Sequence, residues 1–215
     1  RFDEFVRAVC TIGRDSRAIF LWDLGNEPFP TWGEWFAFLA ENVRAADPNP
    51  AHGTIVSFAA LPEFIENRVF ENPLIDVVGY HPYGVFRQNM AVWTRQARRI
   101  ATPPHSDRQK PILATEAGSP GILMSYEDTF DQLRAEGVGF MPWVAVIDDR
   151  RGRLPFQFGS GIVFHDGELR DLPAAQAMQA VAREDGVLPF QLAPLREKRD
   201  LTGWVEPTFP PGRGI

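Results

Sequence analysis

Five short, nearly uninterrupted apolar runs, each set apart from the next by a longer stretch, constrain this chain more than any other feature. Ala18 to Leu24 is the clearest run, followed by Thr54 to Phe58, Ile75 to Tyr80, Pro111 to Thr115 and Phe140 to Val146. Runs of this length without polar alternation suit strands covered on both faces, as in a parallel sheet. Helical segments lie around them. Phe2, Phe5, Val6, Val9 and Ile12 recur at helical spacing up to a stop at Gly13. Thr31 and Glu34 form a capping box for a helix over 32–46, with Trp35 on its core stripe. A short helical piece is expected from Glu63 to Val69, and a helix from Met90 to Ile100 with Trp93 and Ala97 on one face. Ser125 and Asp128 resemble a second capping box, for a helix ending at Gly137, and Pro173 suits the first turn of a last helix through Ala182.

Each connection between runs is long enough for a crossover, so the pattern predicts βαβ units and an α/β fold with a parallel sheet. An open doubly wound sheet and a closed (β/α)₈ barrel both satisfy it. Neither the phosphate-loop nor the dinucleotide fingerprint occurs, which tilts the balance toward the barrel.

Composition narrows the partners. The formal charge is -6, with 22 basic and 28 acidic side chains spread along the chain. That is no footprint for nucleic acid or an anionic membrane, and an uncharged, polyhydroxylated partner fits better. No apolar stretch is long enough to span a bilayer, and the first residues do not read as a signal peptide. Cys10 is the single cysteine, expected as a small core residue, so neither an internal disulfide nor a cysteine metal cluster can form. His52, His105 and His165 lack metal-ligand spacing and are expected as solvated loop residues; no metal and no cofactor is predicted.

The conspicuous polar clusters fall where the runs end: Asn26-Glu27-Pro28 after the first, His81-Pro82-Tyr83 after the third and Glu116 after the fourth. In a (β/α)₈ barrel such positions project into one bowl. Two carboxylates facing each other there match glycoside hydrolysis, in which one protonates the leaving oxygen and the other attacks the anomeric carbon or activates water. Taken singly, Glu27 also reads as a helix-start acid and Glu116 as a loop acid.

The segment from Ile19 to Pro28 resembles the fourth barrel strand of clan A glycoside hydrolases, most closely family 5, the cellulase- and mannanase-like group. Asp76 to Tyr83 resembles the sixth strand with its His-x-Tyr pair, Lys110 to Gly118 the seventh with the nucleophile, and Pro142-Trp143 the eighth. The resemblance implies a retaining mechanism on an oligo- or polysaccharide, with Glu27 as acid/base and Glu116 as nucleophile. It places Asn26, His81, Tyr83 and Trp143 around the sugar: Tyr83 donates to Glu116, and Trp143 offers a ring platform. Phe29 and Trp32 extend an aromatic cleft. The run Asp148 to Arg153 could bind an acidic sugar, though it reads better as a solvated loop. The resemblance is compatible with a secreted or periplasmic enzyme.

Strands one to three of that barrel have no counterpart here. The expected architecture is therefore an incomplete (β/α)₈ barrel over 1–185, strands four to eight, followed by a Pro/Gly-rich extension over 186–215. The alternatives are a piece of a longer enzyme, a barrel completed by a partner chain, or a non-catalytic carbohydrate-binding module.

Overall fold

The computed structural model describes residues 1–28, 33–59, 68–84, 87–118, 124–143, 145–147, 161–164 and 167–184. Its centre is a five-stranded parallel sheet of β1 (Leu21–Asn26), β2 (Gly53–Ala59), β3 (Val77–His81), β4 (Ile112–Ala117) and β5 (Gly139–Pro142), paired in chain order. A doubly wound sheet reverses its strand order partway across. The sequential order here is that of a barrel wall.

Helices α1 (Phe2–Gly13), α2 (Gly33–Ala46), α3 (Arg87–Ile100), α4 (Tyr126–Ala135) and α5 (Leu172–Glu184) supply the outer layer. Alternate strand residues choose the face they cover. Val56, Phe58 and Val78 pack against Phe36, Leu39 and Ala40 of α2 and Ile100 of α3, whereas Tyr80, Ala114 and Ala117 meet Met90, Ala97 and Leu133. Trp93 packs beside Ala97, as its spacing predicts. Cys10 is buried against Val43 and Ala46, which fixes α1 on α2.

Burial across the opposite face varies in a way that indicates curvature. Asp23 on β1 and Met141 on β5 are exposed, Leu113 and Thr115 are half-buried, and Ile55, Ser57, Val77, Gly79 and His81 in the middle are buried. A short parallel pair, β6 (Val146–Ile147) with β7 (Val163–Phe164), lies beyond β5.

Several expectations shift. The first strand starts at Leu21 rather than Ala18 and runs on to Asn26, and the fifth stops at Pro142, short of Val146. Trp35 is not on the core stripe. Phe36, Leu39 and Val43 fill it, leaving Trp35 39% exposed and stacked on Phe38 at 5.4 Å. His52 is not a solvated loop residue: its Nδ1 lies 2.7 Å from Asp47 Oδ2 and its Nε2 3.0 Å from the Ser16 carbonyl, inside the core. His105 is exposed as expected. Ser125 does cap α4, accepting from the Asp128 amide at 3.1 Å, and Gly137 takes a positive φ of 65° after it. Phe29, Thr31, Trp32, His165, most of Glu63 to Val69, Asp148 to Arg153 and 186–215 lie outside the described residues.

Candidate active site

Two strands change register just where the acidic residues stand. Three steps along β1, from Asp23 to Asn26, match two along β2, from Ile55 to Ser57; likewise Ala114 to Ala117 on β4 matches Phe140 to Pro142 on β5. Each strand thus carries one extra residue, a β-bulge, which resets the alternation and re-aims the side chains around it. On β4 both Ala114 and Ala117 stay on the helix side, and Glu116 between them meets groups of the opposite face.

Past the β1 bulge, Glu27 adopts φ 47°, in the left-handed region, with its amide held by the Ser57 carbonyl at 2.8 Å. Such a conformation costs on the order of 1–3 kcal/mol for a residue with a side chain and persists where surrounding contacts impose it. Here those contacts come from β2 and β3.

His81 joins the two acids. Its ring is fully buried at the end of β3, with Nδ1 2.7 Å from Glu27 Oε1 and 3.5 Å from Glu116 Oε2. Nδ1 faces a carboxyl oxygen of each acid, and such an oxygen accepts from an N–H, so Nδ1 is placed as the donor and Glu27 can still carry a proton on its other oxygen. Tyr83, two residues on, donates its hydroxyl to Glu116 Oε2 at 2.5 Å. Burial, then that bond and the nearby charges of Glu116 and Glu27, push the phenol above the ordinary tyrosine range, which keeps it a donor. Its ring meets His81 edge-on, with centroids 6.1 Å apart.

The remaining candidates surround this centre. Asn26 is exposed at the end of β1. Trp143 is 41% exposed and tied to the end of β4, its amide donating to the Ala117 carbonyl at 2.9 Å and its own carbonyl accepting from Tyr126 Oη at 2.6 Å. Gly118 follows β4 at φ 80°, and a side chain does not fit there: a Cβ would lie 2.6 Å from the Tyr126 ring.

A carboxylate oxygen from each of Glu27 and Glu116, together with His81 Nδ1, all lie within 4.8 Å of one another. Among the described residues this is also the one cluster spaced to hold a metal ion. Chemically, the site offers two close carboxylates with unlike partners: a half-exposed one on an imidazole and a largely buried one on a phenol.

Sequence reasoning missed Asp23 and Ser57, whose side chains meet at 2.6 Å beside the β1 bulge. Gly25 inside the first strand was the available signal, since an isolated strand glycine often marks a bulge.

No protein-family model matches the chain, and no curated protein matches it in sequence. Solved structures do match in fold. A GH2 β-galacturonidase from Eisenbergiella tayi bound to galacturonate aligns with TM-score 0.59 and 18% identity over 81% of this chain and 35% of its own. A β-glucuronidase from Ruminococcus gnavus aligns with TM-score 0.55 and 16% identity, covering 82% and 34%. A GH5_18 variant from Streptomyces cattleya in complex with Manβ1-4GlcNAc aligns with TM-score 0.59 and 15% identity, covering 84% and 53%. The fold is thus α/β, matching part of a (β/α)₈ barrel of the kind found in glycoside hydrolases. The chain spans between about a third and a half of the length of these structures.

Proposed function

We propose that the site cleaves β-glycosidic bonds by double displacement with retention. The observation that carries this reading is the separation of Glu27 and Glu116, carboxylate oxygens within 4.8 Å, each with its own partner. The carboxyl groups of retaining pairs sit about 5–5.5 Å apart and those of inverting pairs about 6.5–9.5 Å, and nearest oxygens this close favour the shorter spacing.

Glu116 attacks the anomeric carbon while Glu27 gives its proton to the departing glycosidic oxygen, whose bond to that carbon breaks. The glycosyl ester on Glu116 is then opened by water, with Glu27 taking the water proton and the carboxylate of Glu116 released. Tyr83 orients the Glu116 carboxylate, and His81 holds Glu27. Asn26 is assigned to the hydroxyl beside the anomeric carbon and Trp143 to the sugar face. The substrate is an oligo- or polysaccharide with β-linkages. Family 5 is the closer parallel for the residue pattern, while the fold neighbours include uronidases as well.

The test is a panel of 2-deoxy-2-fluoro β-glycosides (gluco, manno, glucurono, galacturono) with intact-mass readout and peptide mapping. One added glycosyl group on Glu116 is expected, and labelling elsewhere would sink the assignment.

A second reading has its own observation. Among the described residues β1 and β5 each pair on one side only, and Asp23, Met141 and Trp143 at these edges are exposed. Further βα units, from a preceding segment or a partner chain, would close such a wall. Sugar binding without any label on Glu116 would favour a non-catalytic carbohydrate-binding module.

A further inference from the structure

We infer that Asp23 is a positioning residue for Glu27, acting through the β1 bulge. Its carboxylate spans the extra residue: Oδ2 accepts from Ser57 Oγ on β2 at 2.6 Å, and Oδ1 accepts from the Gly25 amide inside the bulge at 3.1 Å. Ser57 is a hub. Its side chain holds Asp23, its carbonyl holds the Glu27 amide at 2.8 Å, and its backbone pairs with Asn26 on one side and Gly79 on the other. Ser57 leans over Gly79 so closely that a Cβ there would lie 2.6 Å from Ser57 Oγ, so β3 leaves this hydroxyl its room.

Together these bonds fix both ends of the segment from Asp23 to Glu27. The positive φ of Glu27 then aims its carboxylate at His81 Nδ1. Without the Asp23 bridge the Gly25 amide loses its acceptor, the bulge can relax toward regular pairing, and Glu27 swings off its position. Since a regular register inverts the alternation, the displacement is a change of direction rather than a small drift.

The kinetic arm of the test rests on the glycosidase reading; the spectroscopic arm does not. In the full chain, Asp23→Ala is compared with Asp23→Asn, which keeps an acceptor for Gly25, and with Ser57→Ala, a smaller change should Asp23→Ala fail to fold. For aryl β-glycosides, general-acid help matters for poor leaving groups and little for dinitrophenolate. The expected result is a loss of about 100-fold on the poor leaving group and less than about 5-fold on the activated one, with Asp23→Asn within a few-fold of the parent. Equal losses on both substrates would mean a merely structural residue and overturn the inference.

Independently of turnover, the His81 ring is followed by ¹H–¹⁵N NMR, with His81→Gln to assign it. The Nδ1–H signal is expected to shift or vanish in Asp23→Ala and Ser57→Ala and to persist in Asp23→Asn. An unchanged signal in Asp23→Ala or Ser57→Ala would overturn the inference even in a chain that hydrolyses nothing. A parent that neither turns over substrate nor labels at Glu116 would instead count against the glycosidase reading alone.

Discussion

At the scale of single residues, the site is built on unequal treatment of two similar side chains. Glu116 is half as exposed as Glu27 or less, and it accepts from a phenol, whereas Glu27 meets an imidazole. Removing the phenol hydroxyl alone is a clean probe. Tyr83→Phe should lower kcat by about 10- to 100-fold, the worth of one hydrogen bond to a charged acceptor, with little change in KM. Because burial and the adjacent carboxylates raise the Tyr83 pKa, any basic limb of the pH–rate profile below about pH 10 should belong to another group and stay in place in Tyr83→Phe. Steady-state kinetics across pH measures both. Glu27→Ala should recover turnover of activated aryl glycosides when azide is added and yield a β-glycosyl azide, identifiable by NMR; an α-azide would contradict the retaining pathway. That Glu27, His81, Tyr83 and Glu116 would come together was legible in the sequence, because each sits at or just past the end of an apolar run. Asp23 was hidden inside a run that reads as plain strand.

At the scale of elements, strand identity was legible and strand endings were not. Runs buried on both sides announce themselves by composition, as in Ile75 to Tyr80, but an ending is decided by which neighbour is available to pair. Phe20 remains outside β1 and 67% exposed although it is apolar, and its carbonyl accepts from the Gly53 amide just as pairing begins. The β4 bulge has no sequence signal, since Thr115 and Glu116 fit a regular strand equally well. The start of α4 was easier, because the Ser125 cap is a local device, whereas α3 begins at Arg87, three residues ahead of the expected Met90. Ser125→Ala should cost about 1 kcal/mol in urea unfolding, the usual worth of an N-cap. Gly118→Ala should cost more, about 2–3 kcal/mol, since it adds strain at φ 80° to a collision with Tyr126.

At the scale of the whole molecule, polar ties hold the layers in register. Asp47, at the end of α2, accepts from the Trp22 indole of β1 at 2.7 Å and from the Asn49 amide at 3.1 Å, and it pairs with His52 just before β2. Burial works against its charge, yet these bonds outweigh that and hold the carboxyl below the usual aspartate range. A carboxyl depressed in the folded state stabilises above its unfolded pKa and loses that contribution as pH falls through its folded one. The melting temperature should therefore drop below about pH 4, and Asp47→Asn should flatten that slope while lowering stability at neutral pH; calorimetry across pH tests both. Just ahead of β4, Lys110 sends a buried ammonium group to the carbonyls of Asn72 and Ile75, at 2.9 and 2.5 Å, and to Asp107 at 2.6 Å. The sequence has two lysines, Lys110 and Lys198. An amine-reactive reagent thus meets a chain whose chemistry is nearly silent in its sheet: modification at Lys110 reports the moment when β3 and β4 part from the loop beneath them, a built-in clock for opening of the wall that carries His81 and Glu116.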